Sequence, residues 1–211
     1  MTEKFSRMTD SILRLQREQP KLFGAGEHKF ELNPKLSEAD ILAFEKLHNI
    51  RLPGDYREFL VNVGNGGAGP FYGIFPLGQV EGPFGMIQWR ENDGFVGILS
   101  EPFPLVESWN DTSAMPNHDL LHRDEPEYLR QMELFEKEYW NTTLANGAFP
   151  ICHEGCALQI LLVVTGPQAG YLWDDRRSEF SGVEPLRLAD GSRATFLRWY
   201  EEWLDDCLAA L

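Results

Sequence analysis

The sequence predicts an α+β domain in which helices come first, then strands with one inserted helix, then a closing helix. Three observations carry that expectation. Apolar residues recur at helical spacing through the N-terminal third, and short apolar runs separated by glycine-rich turns fill the last third. The order itself is the third, because alternating strand–helix units, the mark of a parallel sheet, are missing. With 211 residues, 43% of them hydrophobic and 12% aromatic, the chain can bury one sizeable core.

Each element follows from local chemistry. Residues 3–18 place Phe5, Met8, Ile12 and Leu15 on one face of an amphipathic helix, which Pro20 ends. Residues 21–35 read as a connector with a short extended piece at 30–32. Ser37 is an N-cap for the next helix, with Asp40 placed to reach back, and Ile41, Phe44, Leu47 and His48 form its buried face. Pro53 suits the first position of a further helix, whose stripe is Tyr56, Phe59, Leu60 and Val63. Gly64 is expected to end it in the left-handed conformation. Residues 65–69 tolerate positive φ and Pro70 blocks a return to helix, so residues 71–77 are expected to start a sheet.

The middle of the chain is less regular. Residues 78–95 are turn-rich, residues 98–106 predict an edge or loop because of Pro102 and Pro104, and residues 107–124 read as a polar loop. Residues 125–140 form a helix, with Tyr128, Met132, Phe135 and Tyr139 on one face and acids on the other, closed by Asn146-Gly147. Residues 149–152, 157–165 and 171–173 predict consecutive antiparallel strands, and residues 183–188 a further one. Thr195 caps a final helix with a wide aromatic face of Phe196, Trp199, Tyr200, Trp203 and Leu204.

Charge limits the function classes. The formal net charge is −14, and residues 101–140 supply half of it, with ten acidic against three basic side chains. Residues 1–60, with ten of each, balance. Such a surface repels phosphate backbones and disfavours direct nucleic-acid binding, whereas it would speed capture of a basic protein. The N-terminal stretch does not read as a secretory signal, and the apolar run at 160–164 is too short to span a bilayer. Three cysteines give no disulfide framework and fit a reducing compartment, so a cytoplasmic location without a membrane contact is expected.

Four constellations invite a chemical reading. Gly64, Gly66 and Gly69 spell G-x-G-x-x-G, but a dinucleotide site needs a strand before and a helix after that motif, and here the order is reversed. His118 and His122 are four apart, yet the Glu of a zinc motif is replaced by Asp119 and the flanks are turn-like, so solvated loop histidines are preferred. The stretch Cys152-His153-Glu154-Gly155-Cys156 lacks a second ligand pair for zinc; a hairpin loop with small buried thiols is preferred over a Cys–His nucleophile. Trp173-Asp174-Asp175-Arg176-Arg177 reads as a polar turn with Asp–Arg ion pairs of little stabilising value, rather than a metal or acid–base site. No catalytic, cofactor-binding or metal-ligating residue is assigned.

A resemblance sharpens this reading. The run I41-x-x-F44-E45 through L52-P53-x-D55-Y56-x-x-F59-L60 to G64-N65-G66-G67-A68-G69-P70-x-Y72-G73 resembles the start of the SUKH superfamily domain. It is most similar to the branch of the fungal cell-wall-synthesis regulator and bacterial toxin-immunity proteins. The segments I151-C152-x-x-G155-C156 through I160–V164 to W173-x-D175, and F196-x-x-W199-Y200-x-x-W203-L204, are similar to that family's second half and closing helix. The resemblance spans residues 36–207 and is weakest over 78–145. It implies a central, mostly antiparallel sheet flanked by helices and a non-enzymatic, protein-binding role. It also implies that Pro53, Tyr56, Gly64, Asn65, Gly66, Gly67, Gly69, Pro70, Tyr72, Gly73, Gly155 and Trp173 are architectural.

The expected organisation is therefore an N-terminal helix and connector (residues 1–35), then a SUKH-like domain (residues 36–207) with a variable acidic insertion at about 101–145. The expected function is an immunity protein that occludes a basic, nuclease-type toxin through Asp124, Glu125, Glu127, Glu133, Glu136 and Glu138. A scaffolding module for a host protein is the alternative, and an enzyme using Cys152/His153 or Asp174/Asp175 a weaker one.

Overall fold

A computed structural model of the chain describes residues 3–94 and 96–211. Residue 95, the end of the turn-rich stretch 78–95, lies outside the described residues, as do residues 1 and 2. Among the described residues there are seven α-helices, a two-stranded antiparallel sheet and a four-stranded one. This is the α+β class the element order predicts.

The larger sheet is a meander of β3 (Ala148–Gly155), β4 (Leu158–Val163), β5 (Leu172–Asp175) and β6 (Val183–Pro185), each antiparallel to the next. Both faces of it are covered, which is why β4 is an almost unbroken apolar run. On one face Ile151, Ile160, Leu162 and Leu172 join the main core. On the other, Leu161, Val163, Trp173 and Val183 pack with Phe103, Leu105 and Trp109 from the loop at 98–109.

Four helices build the main core. α1 (Glu3–Glu18) buries Phe5, Met8, Ile12 and Leu15 in it, and α1 packs on α7 (Phe196–Ala209), helped by a Lys4–Glu201 ion pair of 2.9 Å. The connector contains one helical turn, α2 (Ala25–His28). α3 (Glu38–His48) opens with the expected capping box: Ser37 Oγ accepts from the Asp40 N–H at 3.2 Å while the Ser37 N–H donates to Asp40 Oδ2 at 3.0 Å. α4 (Gly54–Asn62) buries Tyr56, Phe59 and Leu60.

Several expectations are corrected. The buried positions of α3 are Ile41 and Glu45, whereas Leu47 is 77% exposed. The carboxylate of Glu45 earns its burial by accepting the Leu52 N–H at 3.0 Å. α4 ends at Asn62, and the left-handed conformation falls on Gly66 and Gly67 rather than Gly64. Residues 71–77 form no strand. Positive φ at Phe71 and Gly73 twists the segment, and only Ile74 bridges to Cys152 at the β3 edge. The turn-rich stretch holds a hairpin, β1 (Gln79–Gly82) and β2 (Gly85–Gln88).

Residues 118–123 form α5 (His118–Arg123) where a polar loop is expected, and α6 (Glu125–Tyr139) follows. A 3₁₀ turn at Thr142–Ala145 separates α6 from Asn146-Gly147, which leads into β3. Thr195 occupies the N-cap of α7 but makes no side-chain cap bond. The Leu197 N–H is instead satisfied by Asp55 Oδ2 of α4 at 3.1 Å.

Candidate functional site

The glycine-rich turn after α4 faces inward. Gly67 bridges to both Leu32 and Ile74, and a Cβ there would lie 2.4 Å from Glu31 O, so the backbones approach as only glycine allows. Asn65 Oδ1 accepts the Leu77 N–H at 2.8 Å, Pro70 O accepts the Cys152 thiol at 3.4 Å, and Ala68 O accepts the Tyr200 hydroxyl at 2.7 Å. Tyr72 crosses the turn to stack on His153, with ring centroids 4.8 Å apart, and lies against Gly155. The loop's polar groups are engaged by the rest of the fold.

Residues 101–145 are built differently. α6 is fixed by its aromatic face: Tyr139 packs on Trp109 (5.2 Å) and Phe180 (5.7 Å), and Phe135 on Phe180 (5.7 Å). The Tyr139 hydroxyl donates to Asn110 Oδ1 at 2.7 Å, and Asn110 Nδ2 donates to Phe180 O at 2.9 Å. The opposite side of the helix is free of protein. Between α6 and the Trp109 loop, at the edge of the aromatic face, lies an open groove of about 630 Å³, lined by Trp109, Asp111, Leu134, Phe135, Glu138 and Tyr139 among others.

The six acids named from the sequence do not form one face. Asp124 is the N-cap of α6, its Oδ1 accepting the Glu127 N–H at 3.2 Å. Glu127 holds Arg130 through two bonds of 2.7 and 2.6 Å and also accepts from Gln131, and these bonds lower its carboxyl to about 2. At roughly 100° per residue, Glu125, Glu133 and Glu136 share one flank with the exposed Leu129 and Trp140. Glu138 lies on the other flank beside Leu134, at the groove, and Arg130 and Lys137 run between. The helix therefore offers two acidic–apolar flanks separated by a basic ridge.

In the Asp–Arg run at the end of β5, Asp174, Asp175 and Arg177 are buried and Arg176 half-buried, so it is not a surface turn. Asp175 and Arg177 are paired through Nε–Oδ1 (2.8 Å) and Nη2–Oδ2 (2.6 Å), and Trp140 lies over the guanidinium at 5.3 Å. A buried pair of this geometry is costly to break from one side, so the small stabilising value expected of a surface pair does not apply. Arg176 joins Asp174 (3.2 Å), Glu154 (3.4 Å) and Glu179 (3.2 Å). Burial, and then the charge of Asp174, raises the Glu154 carboxyl to about 7; burial also raises Asp174, whose Oδ1 has no partner.

The remaining candidates are separated from one another. Burial pushes the Cys152 thiol well up, and its hydrogen-bond acceptors are carbonyls rather than an imidazole. His153 lies between Tyr72 and Phe75 and pairs with Glu81 at 3.0 Å. Cys156 is exposed, contrary to the expectation of two buried thiols. His118 and His122 are helical after all, exposed on α5 with ring centroids 5.3 Å apart. Among the described residues, no three His, Cys, Asp or Glu side chains are arranged to hold a metal ion. No helix among them is long and apolar enough to cross a membrane.

Residues 35–190, well over half of the chain, match the family model described as SMI1 / KNR4 family (SUKH-1). No curated protein and no solved structure matches.

Proposed function

The chain belongs to the SMI1/KNR4 family (SUKH-1), and on that premise we propose that it is a non-enzymatic immunity protein that neutralises a basic, nuclease-type toxin in the cytoplasm by occluding it. The family is consistent with a protein-binding module of immunity or regulatory type. The observation that carries the finer reading is the surface of residues 101–145, where exposed carboxylates border exposed apolar side chains and an open groove.

That combination suits a cationic protein partner. The carboxylates of Glu125, Glu133, Glu136 and Glu138 attract and orient it, and Leu134 with the groove supplies apolar contact area. Asp124 and Glu127 belong to this surface, but their bonds to the helix give them a positioning role. The binding unit in this reading is residues 36–207, with the acidic segment 101–145 as its partner-specific part. Residues 1–35 are an N-terminal addition whose helix shares the core.

Co-expression tests the reading. A basic toxin domain encoded beside this gene is expressed with and without the protein, scoring growth and complex formation. Growth rescue with a stoichiometric complex is the expected result. Binding to a host regulatory protein, with no rescue from any neighbouring toxin, would favour the scaffolding alternative.

A further inference from the structure

The hairpin of β1 and β2 turns its apolar side chains outward. Phe84 at the tip is 102% exposed, and Met86 and Ile87 are 43% and 42% exposed. Its anchors lie at the base, where Val80 and Trp89 are buried. Gly82 pairs with Gly85, so the connecting loop is the two residues Pro83-Phe84. Two-residue hairpin loops favour Asn-Gly, Asp-Gly or a leading Gly, because those residues accept positive φ. A phenylalanine here serves neither the turn nor the core. Local choices that disagree with the fold in this way are expected where a surface has a task.

We propose that this hairpin is a docking finger whose Phe84 enters an apolar recess on a positively charged partner protein, with Met86 and Ile87 covering the rim. Charge selects the occupant. A second copy of the chain also carries −14 and is repelled, and an anionic lipid surface is repelled for the same reason. A cationic protein is attracted. Exposed aromatic anchors of this kind carry a large share of interface energy.

The inference rests on the proposed toxin-binding role, and one experiment separates the two. Affinity of the full chain for the basic toxin domain encoded beside it is measured calorimetrically for wild type, Phe84→Ala and Phe84→Leu. Because Phe84 touches little of its own protein, both variants fold. The expected result is a loss on the order of 30-fold for Phe84→Ala, a smaller loss for Phe84→Leu, and the same ratio at high salt. Wild-type binding with Phe84→Ala within twofold of it overturns the finger and leaves the toxin-binding role standing. If wild type binds no such domain, the role fails and the finger with it. A concentration-dependent dimer in sedimentation that Phe84→Ala abolishes would give the hairpin to a second copy and also overturn the proposal.

Discussion

The glycine-rich turn around residues 64–73 and the acidic segment 101–145 are both rich in polar groups and treat them in opposite ways. In the turn, carbonyls and amides are used by other elements: Glu31, Ile74, Leu77, Cys152 and Tyr200 all bond to it. In the acidic segment, Glu125, Glu133, Glu136 and Glu138 extend into solvent from a helix held by its opposite, aromatic side. Changes in the first region are therefore expected to be felt as stability, and changes in the second, under the proposed function, as recognition. The Asp–Arg run of β5 belongs with the first group despite its charged composition, because both members of its central pair are buried.

Substitutions graded by burial can break this contrast. Arg177→Ala leaves Asp175 buried and unpaired, and should cost about 3–5 kcal/mol in a denaturant melt. Gly67→Ala forces a Cβ against Glu31 O at a φ of +96° and should cost about 3 kcal/mol, combining strain and overpacking. If either change left the melt untouched, the division would fail at its inner end.

Glu154 gives a pH-dependent version. Its folded carboxyl titrates near 7, above the ordinary value of 4.5, so the native state holds a proton that the unfolded chain has already lost. The contribution is full below about pH 4.5 and is lost as pH rises through 7. Glu154→Gln, which stays neutral, should therefore be more stable than wild type at pH 8, by about 1 kcal/mol once solvent screening is allowed for. The gain should fade below pH 5. A pH-independent difference would contradict the assignment. The smallest effect is expected at the outer end: Glu133→Gln should leave the melting midpoint where it is.

How much was legible in the sequence follows the range of the interaction involved. The Ser37–Asp40 capping box is written within four residues, and β4 within six, so local pattern suffices for both. The cap of α7 is not local: Asp55, 142 positions away, replaces the hydroxyl of Thr195. Leu47 reads as a core residue by spacing, but nothing packs on that side of α3. The hairpin at 79–88 escapes because Pro83-Phe84 is none of the usual two-residue hairpin pairs, and residues 71–77 look like a strand although one bridge is all they make to β3. The division of the α6 acids between two flanks was available from helical geometry alone. The groove beside α6 was not, because Trp109 and Asp111 reach it from another segment.

The central claim is that the acidic surface recognises a partner without supporting the fold. The direct test is the affinity of the neighbouring basic toxin domain for wild type and for the variant combining Glu133→Lys, Glu136→Lys and Glu138→Lys, at low and high salt, with a melt of each. The account predicts a loss of at least about tenfold at low salt, narrowing as salt is raised, with an unchanged melting midpoint. Equal affinity of the two proteins at low salt would contradict it.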